Sequence, residues 1–222
     1  MDGNKTLWDS VFTTDPKAVK AITGKPYKGN SPKPYWLIER ATEAFGPVGI
    51  GWGVTVKSER FERLSDTDVL HVAVVSVWFM RDGKRSEGID QMGGTKAAYK
   101  TNDGKLIVDE DAGKKSVTDG MVKCLSMIGF AGDIFSGRWD DSKYVEAARQ
   151  HYEDKARDED PERAAWLEAK KAEIMGASTV GDFRRVVAAA SEFAVNQGDH
   201  AAVDQINVWA EEKRAQAKPR AA

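Results

Sequence analysis

Three histidines, one cysteine and 35 acidic side chains are the material for reactive chemistry in this 222-residue chain. Their spacing assigns little of it. His71, His151 and His200 lie far apart, and Cys124 has no partner at ligand spacing, so no structural metal site is expected. His71 sits inside an apolar run and reads as a packed histidine, not as the base of a hydrolytic triad. The acidic pairs Asp66/Asp68 and Asp140-Asp141 fall in turn-like stretches and read as caps and solvated faces. The glycines Gly46, Gly49, Gly51 and Gly53 invite a phosphate-loop reading, but no Lys-Ser or Lys-Thr follows the last of them. They lie in or before a strand pattern, so a bulged strand with Trp52 packed beside small residues is expected. No catalytic residue, metal or cofactor is assigned, and a binding protein is expected instead of an enzyme.

The cations are the more informative set. The formal charge is −2, so bulk charge neither announces nor forbids a nucleic-acid partner. Residues 1–34 hold six lysines against three aspartates, whereas residues 146–222 hold 12 basic and 15 acidic side chains. Arg81, Lys84 and Arg85 flank Asp82-Gly83, and Lys96, Lys100, Lys114 and Lys115 precede the segment that carries Lys123. Such side chains grip a sugar-phosphate backbone without reading sequence, by displacing its counterions. Taken singly, each is equally an ordinary surface charge.

The elements that must position them follow from periodicity. "YWLIERATEAFG" has the apolar spacing of a helix, stopped at Gly46 and Pro47. A short helix or turn is expected around Asp15–Ile22, followed by a loop. Val48, Ile50, Trp52, Val54 and Val56 alternate as in a strand, and Asp82-Gly83 after a β-rich run signals a hairpin. Residues 93–115 read as a connection that enters a helix near Asp109. In "SVTDGMVKCLSMIGFAGDIFSGRW", Val117, Met121, Cys124, Leu125, Ile128, Ala131 and Phe135 form one helical stripe, with Lys123 off it. Gly129, Gly132 and Gly137 each cost such a helix about 1 kcal/mol, which predicts close backbone approach or an early end near Gly129. Beyond Asp140 the pattern is helical: a charged helix ending before Pro161, a second from Pro161 to Gly176, and a helical hairpin around Gly198-Asp199.

These patterns predict an α+β chain: a core over 1–145 and a helical region over 146–222. The longest apolar run, about Val69–Met80, is too short to span a bilayer, and no signal peptide is visible, so a soluble, cytoplasmic protein is expected.

The order Phe45-Gly46, Gly51-Trp52, Asp82-Gly83 and then Val117-Thr118-Asp119-Gly120 with Lys123, Leu125 and Gly129 resembles the single-strand annealing proteins of the Rad-fifty-two superfamily, of the bacteriophage recombinase type. The resemblance covers about residues 30–145. It implies an antiparallel β-β-β-α core with a long helix packed on the sheet, assembled side by side into rings or helical filaments. It also implies ATP-independent binding and annealing of single-stranded DNA in homologous recombination, in the host cytoplasm if phage-encoded. A plain single-strand binding and protection protein is the alternative. The motif commonly carries two adjacent basic residues after "TDG". Val122 and Lys123 stand there, so only Lys123 matches. Trp36 occupies the position of a DNA-contacting arginine in some relatives, with Lys33 and Arg40 nearby; it either stacks on a base or packs in the core. The expected DNA-binding set is thus Lys123, Arg81, Lys84, Arg85, Lys96, Lys100, Lys114, Lys115, Lys33, Arg40 and Trp36. Thr118 and Asp119 read as helix-start residues. The helical region is expected either to dock a partner, such as a host single-strand binding protein, or to stabilise the oligomer.

Overall fold

A computed structural model describes residues 4–23 and 28–217. The chain is α+β and divides into two units, Met1–Tyr152 and Glu153–Ala222. The division falls within one continuous helix, Ser142–Asp158, rather than after residue 145.

The first unit opens with α1 (Thr6–Val11) and a 3-10 turn, Pro16–Ala18, capped by the Asp15 side chain. Strand β1 (Val19–Ala21) then pairs with β2 (Asn30–Pro32) in an antiparallel hairpin. The helix or turn expected over 15–22 is therefore a turn followed by a strand. Part of the expected loop, residues 24–27, lies outside the described residues. Helix α2 (Pro34–Phe45) starts on a proline, whose missing N–H costs nothing there, and ends where Gly46 takes φ +95°. The run Pro47–Gly51 is a turn and not a bulged strand; the bulge lies further on, between Val56 and Ser58.

Four strands make the main sheet, in the order β3 (Trp52–Arg63), β4 (Val69–Arg81), β6 (Ile89–Lys100) and β7 (Leu106–Val108). The two residues of β5 (Lys84–Arg85) fold back on Met80 and Arg81 across Asp82 (φ +52°) and Gly83 (φ +74°), the two-residue turn that the dipeptide predicts. Every pairing in the sheet is antiparallel. Helix α3 (Ala112–Ser126) lies along β4 and β6. Alternate residues of β4, Ala73, Val75 and Val77, meet Met121, Cys124 and Leu125 of α3 and Leu37 and Ala41 of α2 in a fully dry core.

Strand β6 corrects the expectation of a connection over 93–115. Its Gly93-Gly94 and Lys96 disguise it as a loop, because glycine is poor in strands. Gly93 is required by packing against Gly120 of α3, whereas Gly94 has ordinary room for a side chain. A Cβ on Gly93 would stand 1.9 Å from the Ser116 carbonyl oxygen, and one on Gly120 would stand 2.7 Å from Val75 Cγ2. Helix and sheet touch backbone to backbone at this point, so neither residue tolerates a side chain.

The apolar stripe running to Phe135 is not one helix. Helix α3 stops at Ser126, and Gly129 adopts φ +105°, with Trp8 Cα 2.8 Å from where its Cβ would be. Both predicted uses of this glycine are realised, against backbone of the same chain. Helix α4 (Gly132–Phe135) and a 3-10 turn, Arg138–Asp140, follow. Within α4, Asp133 is fully buried. Its carboxylate accepts from Thr14 N (2.8 Å), Thr14 Oγ1 (2.5 Å), Trp139 Nε1 (2.9 Å), Tyr144 Oη (3.0 Å) and Ile134 N (2.8 Å). Burial and then the Asp133 charge push the Tyr144 phenol up to about 12, so it stays a donor to this carboxylate.

The helix α5 (Ser142–Asp158) leads into the second unit, formed by α6 (Pro161–Gly176), α7 (Val180–Asn196) and α8 (His200–Ala217). Asp160 and Thr179 cap α6 and α7 through their side chains, and Gly198 turns α7 into α8 with φ +68°. These are the boundaries that periodicity predicts. Ile174, Ala190, Ala194, Ala202, Ile206 and Trp209 form its own core. Arg163 grips Asp199 with two hydrogen bonds, Nε–Oδ2 2.5 Å and Nη2–Oδ1 3.2 Å. Asp199 also accepts from Ala202 N at the start of α8.

Candidate nucleic-acid interface

The first half of α3 and the β1–β2 hairpin flank an open cleft of about 520 Å³. Lys20 comes from β1, Pro34 from the start of α2, and Asp111, Lys114, Lys115 and Asp119 from α3 and the residue before it. Helical spacing places Lys114, Lys115 and Thr118 toward one side, one turn apart. Lys20 is the cation here that sequence reasoning missed. It sits in a three-residue strand whose partner lies beyond residues 24–27, so no local pattern reveals that it meets α3.

Each lysine on α3 already has a carboxylate. Lys114 Nζ is 2.9 Å from Asp111 Oδ1, and Lys115 Nζ is 2.6 Å from Asp109 Oδ2. Those hydrogen bonds raise both ammonium pKa values and hold the Asp111 carboxyl below its usual range, so all three are charged at neutral pH. Exposed pairs of this kind are weak because water and salt screen them, so a phosphate can compete with them.

Lys123 does not line this cleft. Its ammonium is 2.8 Å from Asp119 Oδ2 and 3.2 Å from the Met92 carbonyl oxygen, and Gly94 N donates to the same Asp119 oxygen at 3.2 Å. Asp119 thus ties α3 to β6 and holds Lys123 at that seam. Thr118 and Asp119 lie inside α3 and not at its start, because the helix begins at Ala112. The Thr118 hydroxyl donates to the Lys114 carbonyl within the helix.

A second, shallower cleft, about 440 Å³, lies beside α2 and contains Lys17, Lys33, Tyr35, Trp36 and Glu39. Ser31, Pro32 and Pro34 line the first cleft and Lys33, Tyr35 and Trp36 the second, so the two adjoin in sequence along residues 31–36 without sharing a residue. Trp36 is half-buried and packs against the core. Tyr35, one residue earlier, is 84% exposed and offers the aromatic face next to Lys17 and Lys33. The hydropathy of α2 contains the signal: Trp36 is on its apolar stripe and Tyr35 is off it. Lys33 Nζ donates to the Lys17 carbonyl at 2.7 Å. Arg40 is bonded to Glu43 instead of facing either cleft.

The remaining predicted cations lie elsewhere on the sheet. Lys96 pairs in register with Leu70, on the face turned away from the Ala73–Val75–Val77 side that packs on α3. Its ammonium is 3.3 Å from Asp68 Oδ1 and 5.5 Å from the Tyr99 ring. The Arg85 guanidinium lies 4.1 Å over Trp78, also on that face. Arg81 is 4.0 Å from Asp82, and Lys84 and Lys100 are exposed. The expected set is therefore spread over two faces, and only Lys114, Lys115, Lys33 and Trp36 reach the two clefts.

Among the described residues no group of three or more His, Cys, Asp or Glu side chains is placed to hold a metal ion. No helix among them is long and apolar enough to cross a membrane. What fold and geometry define is an antiparallel α+β unit with a lysine-rimmed cleft on its principal helix. No protein-family model matches the chain, and no curated protein matches it.

Proposed function

We propose that the first unit binds single-stranded DNA through its backbone and anneals complementary strands without ATP, as a homo-oligomer acting in recombination in the cytoplasm. The observation that carries the reading is the convergence of Lys20, Lys114 and Lys115 on one cleft, on the same helix as the Val117-Thr118-Asp119-Gly120 segment. Lys17, Lys33 and the exposed Tyr35 ring extend it, so a strand laid along both clefts meets ammonium groups for phosphate and an aromatic face for one base. An annealing protein needs this division of labour, because hydrogen-bonding edges must stay free to pair.

Assembly side by side is supported by the edges of the sheet. β3 has a neighbour on one side only, and Val56 and Phe61 on it are exposed, Phe61 by 68%. At the opposite edge β7 exposes Leu106 and Val108. Two unequal apolar edges suit head-to-tail contacts, which close into rings or run on as filaments.

The test is pairing of complementary oligonucleotides by the full chain without nucleotide, at several salt concentrations. Wild type accelerates pairing. The double variant Lys114→Ala/Lys115→Ala keeps its fold, loses affinity, and shows a log–log salt slope smaller by about 1 for each lysine. Binding without accelerated pairing selects the protective single-strand binder, and a folded wild type that does not bind single strands ends both readings.

A further inference from the structure

The helical unit contains a groove whose chemistry differs from the rest of it. The segment is net acidic, yet the C-terminal turn of α6, the start of α7 and the end of α8 enclose about 500 Å³ lined by Ala177, Val180, Phe183, Arg184, Lys213 and Arg214, with Ser178 and Thr179. Three cations and no carboxylate are among the described lining residues. The nearest acid in sequence, Asp182, is engaged by the Thr179 hydroxyl at 2.8 Å and by Arg185 Nη2 at 2.9 Å. The apolar floor is open: Val180 is 69% exposed.

We infer that this groove binds an acidic peptide segment of a partner protein, seating an apolar side chain on Val180 with flanking carboxylates on Arg184 and Arg214. The cations suit carboxylates and the open Val180 suits an apolar side chain, and a peptide whose acids surround one apolar residue supplies both. Guanidinium groups take carboxylates in bidentate pairs, and two of them stand on adjacent helices here. Lys213 is already committed, since its ammonium donates to the Met175 carbonyl at the end of α6. A nucleic-acid strand is the poorer fit. The Arg214 guanidinium lies 5.5 Å over the Phe183 ring, so that face is taken and offers no place to stack a base. The inference stands independently of strand annealing in the first unit.

The test uses the full chain and a fluorescein-labelled peptide of aspartates around a single leucine, read by anisotropy. The peptide binds wild type saturably. Replacing its leucine by serine, or its aspartates by asparagines, weakens binding tenfold or more. Arg184→Glu and Val180→Asp, both at exposed positions, do the same while circular dichroism and single-strand binding stay as in wild type. Failure of the labelled peptide to bind, or equal binding by both variants, overturns the inference. A loss of oligonucleotide affinity in Arg184→Glu reassigns the groove to nucleic acid, and a change in oligomeric state in Arg184→Glu reassigns it to another copy of the chain; either result also overturns it.

Discussion

The two units solve the same problem, burying a core, by opposite means. The sheet unit depends on contacts between residues remote in sequence. Gly93 and Gly120 meet across β6 and α3, and Asp133 draws in Thr14 from the other end of the unit. The helical unit depends on neighbours: capped helices, a tight turn at Gly198, and alanine-rich faces closed by Trp209 and Ile206. The first arrangement leaves a rigid, cleft-bearing helix in a fixed place. The second leaves open grooves between helices.

The contrast can be broken most severely at Gly93. Gly93→Val places carbon against the Ser116 carbonyl and should abolish cooperative folding of the sheet unit, a loss above about 4 kcal/mol. Thermal melts followed by circular dichroism should retain the helical signal of residues 153–217; loss of both signals together would show that the units do not fold separately.

Asp133→Ala strands the buried Thr14 donors and the half-buried Trp139 and Tyr144 donors and should cost about 3 kcal/mol or more in denaturant unfolding of the sheet unit. A cost under about 1 kcal/mol would mean that the hub is dispensable.

The matching lesion in the helical unit is milder. Arg163→Ala removes a two-bonded, mostly buried pair and should cost about 1–3 kcal/mol, confined to the helical transition. The Arg163 hydrogen bond holds the Asp199 carboxyl below its ordinary value of 3.8. A lowered carboxylate contributes stability above that value, and loses it as pH falls through the lower folded value. Wild type should therefore lose helical stability below about pH 3.8, and Arg163→Ala should lose less over the same range. An acid limb unchanged by the substitution would remove this assignment.

The smallest effect sharpens the functional side of the contrast. If the first unit binds single strands as proposed, Asp111 competes with phosphate for Lys114, and Asp111→Asn should raise single-strand affinity by a few-fold at low salt, with little change in stability. Unchanged or weakened binding would place the DNA track away from this cleft.

The helical unit was nearly transparent to sequence reading. Pro161, Gly176 and Gly198-Asp199 mark ends within a turn or two of the bonds they make, and helix capping is local chemistry. The sheet unit was legible where its signals were local, at Gly46 and at Asp82-Gly83, and opaque where they were not. β6 hid behind two glycines, of which Gly93 is required by its close approach to α3. The apolar stripe runs on to Phe135, but α3 ends at Ser126 and Gly129 packs against Trp8, a long-range contact of which the sequence showed only the glycine. Of the residues singled out from the sequence, Lys114 and Lys115 line the first cleft and Lys33 and the half-buried Trp36 the second, while Lys20 and Tyr35, which also line them, were not singled out.

By itself the sequence determined the α+β class, the helical tail, the turns, and a reservoir of cations near one conspicuous helix. Periodicity and turn chemistry act over a few residues, and any chain with that pattern must respect them. Which lysines share a cleft, which carry aspartate partners, and which aromatic faces outward were decided only by the tertiary structure. Those outcomes depend on the close packing of α3 on β6, where a single added methyl group has no room.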